Sequence, residues 1–483
     1  EPVEQIAYHY LRAGQVIRAA RYLLKAGERA EGAYAHDNAL HQYRKAWDIL
    51  VATDDFEARS LMCEVLERLG DVYRACGRLE KSYDAYKEVI SLAEEFSLKG
   101  SDLTELYRKL SVVSIFRTDI ERSEQYLAKA FDLAGDDPLA RARLLVTKAL
   151  HLWHLNQLDE AYGLGKEALD IADGADAKTE ASQACEILAM TCLPLGRWEE
   201  GLDYEMKRQI YGWSPEIVVA TDAHLCLWEY HVSGDQPLQK ARSFIEKVAE
   251  QATGVGDLRC VAVCHYALGT MFLWRGQRSR AVEELASSLL LHEQVGSPAG
   301  MAYALARKSV LHTLTGATEL GWKAVSDGLV HAEQVAVRDH CLQRLYGVGI
   351  WNRLEADDLI GVRRLVDKSE KLLEETGACA ACALELFPWL AYYYLHTGQL
   401  SKARECGDAV SELASKTGNP VGKAIVAMIS SSQCVIEQDE QQADRFRRES
   451  FKILEDAVTE ARHSPVAHYL ERMTAQQAQL REI

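Results

Sequence analysis

At 483 residues, with 72 acidic against 55 basic side chains and a formal charge of −17, the chain is too negative to gain from the counterion release that holds proteins on phosphate backbones. Nucleic acid is set aside as a partner, and Arg445, Arg447 and Arg448 read as a solvated helix face. No run of 18 apolar residues marks a membrane span, and twelve scattered cysteines in so long a chain do not make a disulfide-held secreted scaffold, so a cytoplasmic protein without a membrane partner is expected.

A hydrophobic share of 48% with only 9 prolines favours helices, and alanine, leucine, glutamate and arginine enter them at the least entropic cost. The chain opens on Glu1-Pro2 and is in helical register by Ile6, as expected of a piece of a longer protein. Residues 1–60 read as degenerate helical repeats centred on Ala19 and Ala39, a junction to a missing upstream module.

From 61 to 463 one pattern recurs: a turn, often bearing glycine, then a small residue about five positions on. Clear copies are Gly77 to Ser82, Asn156 to Ala161, Gly196 to Gly201, Gly276 to Ala281 and Gly398 to Ala403; weaker ones end at Ser123, Ala241, Leu320, Gly361 and Ala443. Successive end positions differ by 38 to 42 residues, a register that chance does not hold over nine steps. The turn stops one helix, and the small residue lets the next pack closely on it. Larger apolar residues then fill the gap, as Leu69, Tyr73 and Tyr86 do in one unit and Leu268, Phe272 and Leu285 in another. Pro138, Pro215, Pro298 and Pro420 fall at seams between units, whereas Pro194 and Pro388 lie inside first helices. Residues 464–483, ending in Gln476, Gln477 and Gln479, read as a polar capping helix.

The runs Leu66…Leu69-Gly70…Tyr73…Gly77…Ser82…Tyr86 and Leu268-Gly269…Phe272…Gly276…Ala281 resemble the tetratricopeptide repeat family. The fold this implies is all-α, a right-handed solenoid of about 12 helical hairpins with a period near 40 instead of the usual 34. That longer period looks like the C-terminal arm of signal-transduction ATPases with numerous domains, a group that includes maltose-activator-like regulators and multidomain nucleotide cyclases. The opening Ile6-Ala7-Tyr8-His9-Tyr10-Leu11-Arg12-Ala13-Gly14, followed by Tyr22 to Ala30, is similar to the junction after the ATPase module in such proteins. The resemblance implies an arm that senses a partner or inducer and releases an autoinhibited ATPase.

No catalytic motif is found. There is no phosphate-binding Gly-x-x-x-x-Gly-Lys-Ser/Thr loop, Gly347-Val348-Gly349 is too short for a dinucleotide fingerprint, and His292-Glu293 lacks a second zinc histidine. Cys379-Ala380-Ala381-Cys382 has no second pair, and Cys260 with Cys264 and His265 lacks a fourth ligand, so packing is the expected role of both. His224 and His231 share a face but are separated by Trp228, which favours an aromatic surface over a metal. No metal, no cofactor and no catalytic residue are expected.

In the family's architecture first helices line the concave side. Counting from each turn carries the inward positions onto Trp153, His154, Glu186, Met190, His224, Trp228, His231, Tyr266, Thr270, Trp274, Tyr346, Ile350, Arg353, Tyr392 and His396. Rings with polar tips suit a peptide, an amphipathic helix or a sugar-like ligand, although any one ring serves a hairpin core equally well, and the expected partner is a protein, a peptide or a small-molecule inducer. The expected function is a ligand- or partner-sensing arm of a larger regulatory ATPase or cyclase. The alternatives are a free-standing adaptor and a metal-dependent enzyme. The sequence leaves the oligomeric state open.

Overall fold

In the computed structural model, residues 3–480 are described except 34, 54, 76–77, 97–102, 118, 156, 193–194, 196, 213–237, 256–257, 336–337, 379, 418–419 and 458–463. The described residues hold 23 α-helices and no strand. The backbone falls into two compact units, residues 1–220 with 294–297 and residues 221–293 with 298–483.

The first unit carries α1 (Val3–Arg12), α2 (Val16–Gly32), α3 (His36–Val51), α4 (Phe56–Ala75), α5 (Leu79–Glu95), α6 (Leu103–Phe116), α7 (Ile120–Ala134), α8 (Pro138–His154), α9 (Leu158–Gly174), α10 (Lys178–Cys192) and α11 (Trp198–Tyr211). The second carries α12 (Leu238–Val255), α13 (Leu258–Trp274), α14 (Arg278–Gln294), α15 (Pro298–Leu314), α16 (Thr318–Ala332), α17 (Arg338–Glu355), α18 (Leu359–Thr376), α19 (Ala380–His396), α20 (Leu400–Thr417), α21 (Pro420–Ile436), α22 (Glu440–Ala457) and α23 (Pro465–Leu480). Consecutive helices pair as hairpins, α2 with α3, α4 with α5 and so on in the first unit, α13 with α14 through α21 with α22 in the second. This is the all-α repeat of antiparallel helix pairs that the tetratricopeptide resemblance implies.

One backbone device makes the turns within the described hairpins. The residue preceding each second helix donates its N–H to the carbonyl five positions back, as Arg78 does to Tyr73 at 2.8 Å, Gln157 to Leu152 at 2.9 Å, Gln277 to Phe272 at 2.8 Å and Gln399 to Tyr394 at 2.8 Å. Its own carbonyl accepts from Ser82, Ala161, Ala281 and Ala403 respectively, the small residues of the sequence pattern. The reversal needs a left-handed residue just before, supplied by Gly276 (φ 76°) and Gly398 (φ 73°), and in two turns by Asp357 (φ 54°) and Gln438 (φ 61°).

The small residues are buried against the first helix of their own hairpin. Two positions shift by one from the sequence expectation. Leu320 is 55% exposed, and Gly321 takes its place, where a Cβ would sit 2.4 Å from the Asn352 amide nitrogen. Beside Gly361, fully buried Val362 takes the hydrogen bond from its N–H to the Asp358 carbonyl. Ala241 lies on α12, and residues 213–237 before that helix are outside the described residues.

Three prolines sit where an N–H is dispensable. Pro138, Pro298 and Pro420 begin α8, α15 and α21. Pro388 lies within α19, while Pro194 and Pro215 are outside the described residues.

First helices also carry glycines that admit a large side chain from the second helix 16 positions on. A Cβ on Gly70 would fall 2.5 Å from the Tyr86 ring, and one on Gly269 2.7 Å from Leu285. Tyr86 cannot step aside, because it is fully buried and its hydroxyl donates to Asp71 at 2.6 Å. Burial works against the Asp71 charge, yet Lys109 at 2.9 Å, Arg74 and the Tyr86 hydroxyl outweigh it and hold that carboxyl below its ordinary pKa. Gly70→Ala is therefore expected to cost about 1–3 kcal/mol despite alanine's better helix propensity. Urea unfolding of the first unit followed by hydrogen exchange of α4 and α5 checks this, and an unchanged midpoint would show that the ring has room to move.

Candidate binding groove

The first helices of successive hairpins in the second unit, α13, α15, α17, α19 and α21, pack side by side. The last helix, α23, packs on α21 and α22 as a cap would, and also reaches α13 and α15. Its contacts with α17 and α19 are specific. His468 Nε2 lies 3.0 Å from Glu355 Oε1, and Arg472 donates to the same oxygen at 2.5 Å and to the Leu354 carbonyl at 3.0 Å. Tyr469 donates its hydroxyl to the Pro388 carbonyl at 3.2 Å, and Gln476 its amide to the Tyr392 carbonyl at 3.0 Å. Gln477 donates to Ser431 and Ser432 on α21 at 3.0 and 2.9 Å.

Sequence alone gives Gln476 and Gln477 to solvent, whereas both are buried and bonded. A buried amide is tolerable only with such partners, which fixes the rotation of α23 about its axis.

Aromatic rings frame these bonds. Trp351 and Trp389 stack with centroids 4.9 Å apart and planes 11° from parallel. His468 lies 5.3 Å from the Trp351 ring, Tyr469 meets Trp389 edge-on at 5.1 Å, and the Arg472 guanidinium lies 5.3 Å from the Tyr392 centroid. Glu355 is the anionic end of the groove. Burial disfavours its charge, but His468, Arg472 and the Trp351 indole, which donates at 3.1 Å, more than compensate and lower its pKa. Val466, Leu470 and Met473 supply the buried apolar side of α23.

Beneath the start of α23 a buried charged group lies at the floor. Glu385 on α19 pairs with Arg307 on α15, and Arg344 on α17 donates to the same carboxylate oxygen at 3.2 Å and to Cys382 Sγ at 3.3 Å. Burial opposes the Arg307 charge, but Glu385 and the Tyr266 hydroxyl override it and raise its pKa. Trp274, Trp351, Trp389 and Tyr469 help enclose a cavity of about 30 Å³ here, room for a water but not for a drug-sized ligand.

The residues singled out by counting are placed unevenly. Trp274 lines the cavity with Arg307 5.6 Å from its ring centroid, Tyr266 bonds Arg307, and Tyr392 meets α23 through both ring and carbonyl. Thr270, Tyr346 and Ile350 are buried within the second unit, and Arg353 turns away to lie 4.6 Å from the Trp322 ring of α16. His396 is exposed at the end of α19. In the first unit Trp153 and His154 are half-buried and meet edge-on at 5.2 Å. Glu186 and Met190 are buried in α10, where desolvation raises the Glu186 carboxyl well above its ordinary pKa. His224, Trp228 and His231 lie outside the described residues, as does Cys379.

Counting missed Arg307, Arg344, Trp351, Glu355, Glu385 and Trp389. On α17 the groove stripe is Arg344, Val348, Trp351 and Glu355, a spacing of four, three and four, and Trp351 is one residue beyond the selected Ile350. A residue is 100° of helix, enough to trade the groove for the hairpin interior. Charged residues recurring on otherwise apolar first helices were the available signal.

Cys260 and Cys264 are buried on α13, and no cluster of three His, Cys, Asp or Glu side chains able to hold a metal occurs among the described residues. Nor is any described helix long and apolar enough to cross a membrane.

No family model matches the chain, and no curated protein matches it. Among solved structures the chain is similar to a Rap protein complexed with competence and sporulation factor, at 14% identity over 83% of this chain and 99% of that one, with a TM-score of 0.46. It is also similar to the apo form of RapI, at 12% identity over 83% and 99% of the two chains, with a TM-score of 0.39.

Proposed function

We propose that this chain is the sensing arm of a larger regulatory protein, a signal-transduction ATPase or a nucleotide cyclase, and that it binds a protein or peptide partner on its first helices. One observation carries the binding part: the first helices of the second unit already hold a 16-residue amphipathic helix through rings, a carboxylate and backbone carbonyls. A face that grips one helix in this way has the chemistry for helix-in-groove recognition. The regulatory part rests on the resemblance of the opening segment and of the repeat period.

Trp228→Ala combined with Trp274→Ala is expected to weaken a partner captured from native lysate at least tenfold, with circular dichroism unchanged. Undiminished capture by the double variant would move recognition off these helices. In the full-length protein, adding that partner is expected to change nucleotide turnover; constant turnover would favour the adaptor reading.

A further inference from the structure

The contacts of α23 exceed what a cap needs. Shielding the last hairpin requires only α21 and α22, yet Arg472 and His468 reach Glu355, 117 and 113 residues earlier in the chain. The additional contacts are of the exchangeable kind: one ion pair, a histidine, hydroxyl and amide bonds to backbone carbonyls, and ring faces. Every acceptor they use belongs to first helices that fold from their own hairpins. If the occupant leaves, water can satisfy the carbonyls and Glu355. With α23 in place the cavity against its start is about 30 Å³, so a second helix has room on these rings only where α23 lies.

We infer that the groove over α17, α19 and α21 is a site for an amphipathic helix from a partner protein, and that α23 is its competitor within the chain. This rests on the binding role proposed above and specifies the ligand. The occupant carries the side chains that α23 presents: an aromatic residue to meet Trp389, an arginine three positions on to pair with Glu355 over Tyr392, and an amide four positions further to reach the Tyr392 carbonyl. Charge favours that choice, because Glu355 pairs with Arg472 and lies within hydrogen-bond reach of His468, and a chain of charge −17 attracts basic segments.

The test uses the full chain and a fluorescent synthetic peptide of residues 464–480. Tyr469→Ala with Arg472→Ala loosens α23, and anisotropy is expected to show the peptide bound at least tenfold more tightly than by the wild-type chain. Adding Glu355→Lys to the loosened chain is expected to remove that gain. A loosened chain of wild-type helicity that takes up no peptide would overturn the inference and make α23 a structural cap. Should the loosened chain fail to fold, hydrogen exchange of the wild type decides: α23 is expected to exchange at least tenfold faster than α21, and equal protection refutes release. A shift of the loosened chain to dimer mass without peptide uptake would assign the groove to a second copy and also refute the inference. Loss of peptide binding alongside intact capture of a lysate partner would sink this inference while leaving the proposed function standing.

Discussion

Glu385→Ala is expected to lower the stability of the second unit by about 3–5 kcal/mol, the scale at which removal of one member of a buried ion cluster is felt. Arg307 and Arg344 are each 1% exposed, and the Glu385 carboxylate pairs with both. Alanine leaves two guanidiniums facing each other in a site that water barely enters. Differential scanning of the chain should show the second unit melting roughly 10 °C earlier. Replacing all three residues together with apolar ones of similar volume (Arg307→Met, Arg344→Met, Glu385→Leu) is expected to recover most of that loss, because burying charge is itself costly. If the single variant melts with the wild type, the guanidiniums are hydrated, and the cluster contributes specificity to the groove without stability.

The sequence carries the repeat because the repeat is local physics. A left-handed residue, a hydrogen bond five positions back and a small residue on the next turn are all encoded within about ten positions, and glycines such as Gly276 and Gly398 mark them. Where Asp357 takes the left-handed conformation that glycine takes elsewhere, the mark is missing, and there the sequence register slipped from Val362 to Gly361. At the Leu320 unit Gly316 is present, yet the packing partner is Gly321, because the Asn352 side chain leaves no room for a Cβ. The groove was legible in part. Of the residues selected by counting, Trp274 lines the cavity and Tyr392 meets α23, while Trp351 and Glu355, which counting did not select, lie on a stripe one step of helix rotation from the selected Ile350. The return of α23 over α17 had no local trace at all. Periodicity reports which face of a helix is apolar and says nothing about a bond between residues 117 apart, so Gln476 and Gln477 read as a solvated end.

Acidification is expected to weaken the second unit well above the pH at which carboxylates protonate, and His292 is the reason. Its ring on α14 is fully buried, with neither nitrogen hydrogen-bonded among the described residues, and a Cβ on Gly300 would fall 2.0 Å from it. Burial first, and the Arg259 guanidinium second, push its pKa down to about 3. An unfolded histidine takes up its proton near pH 6.5, so between that value and about 3 the unfolded state binds a proton that the folded state refuses. The contribution is complete above pH 6.5 and declines as pH falls, by roughly 2 kcal/mol at pH 5 for a slope of about 1.4 kcal/mol per unit. His312 of the second unit is also lowered by burial and acts with the same sign, so the measurement is a comparison. Urea midpoints of the second unit at pH 7 and pH 5 should differ clearly in the wild type and much less in His292→Leu. Parallel shifts in the two proteins would mean that the imidazole reaches water and charges in place, and the acid response would then belong to the carboxylates and the other histidines.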